Sequence, residues 1–564
     1  MAVDVESILC VVFGFSLILS SDRADARPRR GDYEFSVQRK YNCSPLDNES
    51  WSVEEANQKI NRFTNETETT NDTGDGFAIE SGTSFDRNAE RGFSFADIFE
   101  SMFSAVVNGI GSIMTSIIGA EKSPKSRSSR VSYRNHQLIR LFPSTENHVT
   151  DLRDLRESEP EDIKFWTQPF YNKTIDAVVA PDLIPDVKAF LRDRGIDFKI
   201  LIPDIQKTIA YQNPKMSKEQ REDLVTTQGH SMTWKRYHRY ADIIRYLEYL
   251  AFKYSKMVEL ITIGHSYEGQ PIKMVKISTG LNKEGEAKSA VWIDAGMHAR
   301  EWIGSAVATY IVSQLVEKNA SYAKLLDNSD WMILPVANPD GYEFTHTGDR
   351  LWRKTRSNHG ENEEGSRLCF YFSLLRLMNH YARWFWGKCE GVDPNRNFGY
   401  HWGEMESGGA SSDPCDETYA GPHAFSEPET KAMADYILAN KQKIRMYLTL
   451  HSYSQMWLVP WGYTYSKPSD YSELANAAKK AINAISKVHG TDYQLGPSSD
   501  LLYPTSGASD DWAKGVAGIK YAYTLELRDR GTYGFLLPAT QIVPTAREIW
   551  AGIRTIVRLV TCNT

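Results

Sequence analysis

The chain predicts an α/β fold: a large, partly parallel sheet covered by helices, behind a smaller α/β domain. Three observations carry this. At 564 residues the chain is too long for one ordinary domain. From about residue 232 to the C-terminus, short apolar strand patterns alternate with helical patterns. Several of those strand patterns run directly into His, Glu or Asp, and strand carboxyl ends are where α/β proteins usually place ligands.

The chain begins with an uncharged apolar stretch, Ile8–Ser20, of signal-peptide length and too short to span a bilayer. Ala24-Asp25-Ala26 is a cleavage candidate, so residues 1–26 are expected to be a signal peptide, although Asp4 and Glu6 stand where basic residues are usual. A secreted, extracellular protein is the expectation. Asn-x-Ser/Thr triplets at Asn42, Asn48, Asn65, Asn71, Asn172 and Asn319 agree with it. Six cysteines suit a large secreted enzyme with one or two disulfides rather than a cysteine scaffold. The formal charge of −7 offers no attraction for nucleic acid. Residues 27–130 read as a low-complexity extension, expected to be disordered. One amphipathic segment lies near 93–120; it is diluted by Gly, Ser and Asn108, and membrane association is not expected. Lys122–Arg130 is a basic linker.

Residues 131–205 predict a small α/β domain. Strands are expected at 137–142, 163–166, 174–179 and 198–202, with a helix opening at Pro181. It holds no Cys and is expected to carry no metal chemistry. Residues 206–231 are a polar stretch with Lys215, Lys218 and Arg221 available to a trypsin-like protease. Residues 232–564 form the large domain. Its strands are expected at 258–263, 271–277, 290–296, 330–336, 446–451, 455–459 and 521–526. Its helices are expected at 238–255, 301–318, 426–442, 470–488 and 540–560. Asn338–Gly341 reads as a turn at a strand end.

His298 and Glu301 follow the third of those strands. An imidazole and a carboxylate three apart can share one Zn²⁺, but with 13 His in the chain such a pair is near chance, and a second occurs at His401 and Glu404. A catalytic zinc needs three protein ligands and an open position. His451, at the end of the strand 446–451, fits as the third. Such a centre lowers the pKa of a bound water toward ~7 and polarises a carbonyl. Glu526 ends the strand 521–526 and is the candidate base.

Six stretches now make a pattern: Asp294–Trp302, Asn338–Tyr342, Asp349–Ser357, Gly391–Asn397, His451–Gln455 and Leu525–Asp529. In this order the chain resembles the secreted zinc metallocarboxypeptidases of the pancreatic and insect-digestive A/B type, across most of 230–564. Residues 131–205 resemble the family's inhibitory propeptide. The resemblance implies a mixed, mostly parallel eight-stranded sheet flanked by helices, preceded by a small α/β open-sandwich prodomain. It implies one Zn²⁺ held by His298, Glu301 and His451, with Asp393 orienting His298. Glu526 would be the general base. Arg353 and Arg356 would face transition-state oxygens, Arg356 polarising the scissile carbonyl. Asn395 and Arg396 would clamp the substrate's terminal carboxylate, a task that suits a planar guanidinium. Tyr503 would close over substrate, Tyr453 would line the cleft, and Cys389 and Cys415 would form a disulfide. The implied partners are peptide or protein C-termini and an activating trypsin-like protease.

The position that distinguishes B-type from A-type members aligns with Asp510. A buried carboxylate there would pair with Lys or Arg side chains; unpaired, it costs on the order of 2–5 kcal/mol, which disfavours apolar side chains. Ser498 is small and leaves room for a long side chain. The rival expectations are an A-type or broad specificity, and an inactive secreted binding protein. The last is favoured by one departure from the family, an apolar insertion at 370–386 beside Cys369. That insertion reads either as translated intron or as a lid.

Overall fold

Apolar, β-branched runs become strands and the amphipathic stretches between them become helices. The computed structural model describes residues 130–159, 162–359, 389–404 and 409–561. The expected signal peptide, residues 27–129 of the extension, the 370–386 insertion, Cys43, Cys369 and Cys562 lie outside the described residues.

In the prodomain, β1 (Gln137–Phe142), β2 (Ile163–Phe165), β3 (Ile175–Val179) and β4 (Asp197–Ile202) form an antiparallel sheet in the order β2-β3-β1-β4. Strand alternation sorts its two faces. Ile139, Leu141, Ala177 and Val179 pack against Leu152, Val187 and Leu191 of the helices Glu146–Ser158 and Ile184–Asp193. Leu138 and Val178 face the other way and pack with Leu351, Tyr453 and Phe535 of the large domain. The sheet is therefore an open sandwich whose bare face rests on the large domain. Glu146–Ser158, capped by Thr145, escapes the sequence reading because its polar residues break up the helical apolar period.

The large domain holds β5 (Val258–His265), β6 (Pro271–Ile277), β7 (Ser289–Ala295), β8 (Ser329–Leu334), β9 (Ile444–Ser452), β10 (Met456–Val459), β11 (Gln494–Pro497) and β12 (Tyr521–Leu527). These order as β11-β10-β12-β9-β7-β8-β6-β5. The central strands β12, β9, β7 and β8 are parallel, while β5–β6, β6–β8 and β10–β12 are antiparallel. Parallel strands are buried on both faces, which explains their continuous apolar sequences. The helix Trp302–Glu317 is buried along almost its whole length, and Ile542–Thr561 packs on it, closing one face. Pro428–Asn440 closes the other, through Met433, Ala434 and Ile437.

Two expectations change. Asn338 opens the helix Pro339–Thr347 rather than a turn, its side chain accepting from Gly341 N. The polar stretch after the prodomain contains two helices, Ile205–Gln212 and Lys218–Gln228, the second closed by a capping box between Ser217 and Gln220.

Candidate active site

Three neighbouring parallel strands deliver their last residues to one place. β7 ends at Ala295, and Gly296, at φ 64°, turns the chain toward His298. A Cβ at Gly296 would lie 2.5 Å from Ser305 Oγ, so glycine is required there. β9 carries His451, and β12 places Glu526 directly across from it in register. Glu301 sits at the N-cap of Trp302–Glu317, one carboxylate oxygen accepting from Ser452 N at 3.1 Å.

His298 Nδ1 lies 2.8 Å from Glu301 Oε1 and 3.1 Å from His451 Nδ1, and His451 Nδ1 lies 3.0 Å from Glu301 Oε2. All three residues are buried, and they are the grouping of metal-ligating side chains found among the described residues. A tetrahedral Zn²⁺ with bonds of about 2.0–2.2 Å separates its ligand atoms by roughly 3.3 Å. The convergent imidazole nitrogens and carboxylate therefore fit that ion, and His₂Glu is a catalytic donor set.

The surrounding charges are arranged for this. His298 Nε2 lies 3.0 Å from Asp393 Oδ1, which holds the ring with Nδ1 toward the other ligands. Asp393 in turn accepts from Arg353 Nε at 3.1 Å and Nη2 at 2.7 Å. Burial pushes its carboxyl up, but Arg353 and then His298 outweigh that and hold it well below the usual range. The two imidazoles diverge. Burial, then the charge of Arg353, lowers His298. Burial also lowers His451, but the charge and hydrogen bond of Glu301, with Glu526 and Asp294, outweigh it and raise it to about 9. Glu526 is raised, by burial first and the charge of Glu301 second.

Asn395 and Arg396 follow Asp393 on a short 3-10 turn. Asn395 Oδ1 accepts from Ser509 N, and Arg396 is buried with Nε on Gly409 O and Nη1 on Asn395 O. Cys389 and Cys415 are joined as a disulfide. Arg356 lies apart from this network. Its guanidinium pairs with Glu390 at 2.6 Å and lies over the Phe344 and Trp352 rings, with no contact to the three ligands or Asp393. Arg353, three residues earlier, is the arginine that reaches the centre. His401 and Glu404 are in contact at 2.6 Å but half-exposed on a loop, with His401 stacked on Tyr463.

This geometry belongs to a known family. The family model described as zinc carboxypeptidase matches residues 243–552, and that described as carboxypeptidase activation peptide matches 139–212. The chain belongs to the zinc carboxypeptidase family. Carboxypeptidase B of Astacus astacus is 44% identical over 329 residues, covering 58% of this chain and 98% of the relative. Carboxypeptidase A2 of Rattus norvegicus is 37% identical over 424 residues, covering 74% and 92%. The crystal structure of thrombin activatable fibrinolysis inhibitor superposes with a TM-score of 0.65 at 34% identity, covering 77% of this chain and 100% of that one. Carboxypeptidase A from Helicoverpa armigera gives 0.64 at 26%, with the same coverage. The chain is thus a zinc metallocarboxypeptidase with an activation peptide, a zymogen whose substrates are peptide C-termini.

In this zinc carboxypeptidase the prodomain packs on Tyr453 and Tyr503. Trp166 packs on Tyr453 and Phe535, and the Tyr453 hydroxyl donates to Asp176 at 2.5 Å. Arg140 grips Asp176 from the other side. Tyr503 is stacked under Phe170, and Lys173 Nζ donates to the carbonyls of Asp500 and Leu501. Sequence reasoning missed Asp176, Trp166 and Phe170 because their partners lie hundreds of residues away. Arg300, within the stretch Asp294–Trp302, donates from Nη1 to Glu417 at 2.7 Å.

Asp510 is 3% exposed, and its Oδ2 has no hydrogen-bond partner. Among the described residues no Lys, Arg or His forms an ion pair with it. Burial raises its pKa, opposed by the Thr524 hydroxyl. The neighbouring Asp511 is satisfied by Gly462 N and Tyr463 N. Gly462 admits no side chain: a Cβ would meet Thr505 Oγ1 at 2.4 Å, with Ser498 Cβ at 3.6 Å.

Proposed function

We propose that the activated chain is a B-type carboxypeptidase, releasing C-terminal Lys and Arg. One observation carries the reading: the buried Asp510 carboxylate has an oxygen without a hydrogen-bond partner, and among the described residues no Lys, Arg or His forms an ion pair with it. A buried charge left so is costly, and a substrate ammonium or guanidinium relieves the cost while an apolar side chain does not. Gly462 and Ser498 keep the surroundings small enough for a long side chain. Relatives of both A and B type exist, so the choice rests on this residue.

His298, Glu301 and His451 would hold the zinc. When bound, zinc supplies Lewis-acid chemistry, polarising a carbonyl and acidifying a water. Glu526, raised by burial, takes the proton from the attacking water and returns it to the leaving amine. Arg353, anchored on Asp393, stabilises the developing oxyanion. Arg396 and Asn395 grip the terminal carboxylate. Tyr453 lines the cleft, and Tyr503 closes over substrate once Phe170 leaves. We read the protein as secreted: the Cys389–Cys415 disulfide suits an oxidising compartment. Among the described residues no helix is long and apolar enough to cross a membrane.

The test is hydrolysis of synthetic peptides ending in Arg or Phe by trypsin-treated, zinc-loaded protein. Faster release of Arg is expected. Faster release of Phe would sink the B-type reading.

A further inference from the structure

We infer that the activating cut falls between Lys215 and Met216. The two family matches leave residues 213–242 between them. Six basic residues lie there: Lys215, Lys218, Arg221, Lys235, Arg236 and Arg239. A protease of trypsin-like specificity takes its substrate as an extended strand whose backbone groups are free to pair with the enzyme. Proteolytic sites are therefore judged by burial and backbone bonding rather than by residue type alone.

That criterion removes five of the six. Lys218 is the first residue of the helix Lys218–Gln228, fixed by its capping box. Arg221 lies within the helix, with its guanidinium on Asp242 at 3.1 Å. Lys235 sits in a turn with its N–H on Thr233 Oγ1, next to Trp234, which packs on the core. Arg236 folds its Nε back onto Tyr237 O. Arg239 pairs with Glu343, and the bond after it leads into the buried Tyr240.

Lys215 differs in every respect. Asn213–Ser217 bridges two helices, and its ends have extended backbone, at φ −132°, ψ 99° for Asn213 and φ −71°, ψ 166° for Ser217. Pro214 and Lys215 are exposed. Neither Lys215 nor Met216 takes part in a backbone–backbone hydrogen bond among the described residues. The bridge is pinned at both ends instead. On one side the Asn213 amide exchanges hydrogen bonds with the Tyr237 backbone at 3.0 and 2.9 Å, and Gln212 donates to Phe535 O and Leu537 O. On the other, Arg221 holds Asp242, and the Tyr249 hydroxyl donates to Gln228 O. The span between these anchors is held open to a protease.

Hydrolysis there consumes one water, leaving a carboxylate on Lys215 and an α-amine on Met216. The helix Lys218–Gln228 stays with the catalytic domain as its new N-terminal segment. The propeptide keeps its grip through Gln212 and Asn213 until it dissociates.

The experiment is limited trypsin digestion of the full-length zymogen, with mass spectrometry of the fragment carrying the catalytic domain. That fragment is expected to begin at Met216. Lys215→Gln is expected to slow the appearance of activity at least about tenfold, while Lys218→Gln and Arg221→Gln leave it within about twofold. A thermal melt of each variant verifies folding. A fragment beginning at Glu219, Glu222 or any residue after Lys235 would overturn the assignment, as would activation of Lys215→Gln at the wild-type rate.

Discussion

His298–Glu301 and His401–Glu404 have the same spacing and nearly the same contact, 2.8 and 2.6 Å between imidazole Nδ1 and carboxylate. They differ in where the fold puts them. The first pair is buried at the carboxyl ends of parallel strands, where β9 adds His451 and Asp393 fixes the outer nitrogen. The second sits half-exposed on a loop, and no third ligand joins it among the described residues. Spacing offers two ligand atoms; sheet topology supplies the third, together with the burial that makes their charges strong.

Replacing His451 by Ala attacks the comparison at its root. Zinc content, measured by mass spectrometry of metal after dialysis, is expected to fall from one per chain to a small fraction. The loss of affinity should exceed the roughly 10–100-fold that losing an outer partner costs. If the folded variant kept stoichiometric zinc, a pair alone would suffice and the contrast with His401–Glu404 would collapse.

Removing the metal sharpens the comparison through pH. The folded pKa of His451 is raised to about 9 from 6.5, so its contribution to stability is complete below about 6.5 and is lost as pH rises to about 9. Glu526, raised to about 8, acts in the same direction, because the folded state holds its proton longer than the unfolded one. Chelator-stripped protein is expected to show a falling thermal midpoint across that window, and zinc-loaded protein a much smaller fall, since zinc takes the neutral imidazole. A flat or rising midpoint in the stripped protein would contradict the assigned charges. The smallest effect belongs to the second pair. His401→Ala is expected to leave zinc content unchanged and stability within about 0.5 kcal/mol in denaturant melts; lost zinc would show that the loop pair matters to the centre.

Much of this was legible in the chain because it is local. β7, β9 and β12 are apolar runs, and His298, Glu301, His451 and Glu526 occupy short motifs at their ends, while Asp393 lies in the short motif Gly391–Asn397. Arg353 and Arg356 show the limit. They lie in irregular backbone between Asp349 and Ser357, where no periodicity says which side chain turns inward, and only the tertiary contact with Asp393 separates them. Asn338–Gly341 read as a turn because Asn, Pro and Gly punctuate chains, yet its buried Asn338 caps a helix. The prodomain's hold on Tyr453 and Tyr503 pairs residues hundreds of positions apart and leaves no local trace.

Specificity rests on Asp510, a buried carboxylate with no ion-pair partner among the described residues. Its most direct test is the ratio of kcat/KM for C-terminal Arg over C-terminal Phe, measured on activated wild type and on Asp510→Asn. A few kcal/mol of pairing energy corresponds to roughly a hundredfold preference for Arg in the wild type. The variant is expected to lose most of that preference while still releasing Phe and binding one zinc. A variant that kept the wild-type ratio would contradict the assignment of specificity to Asp510.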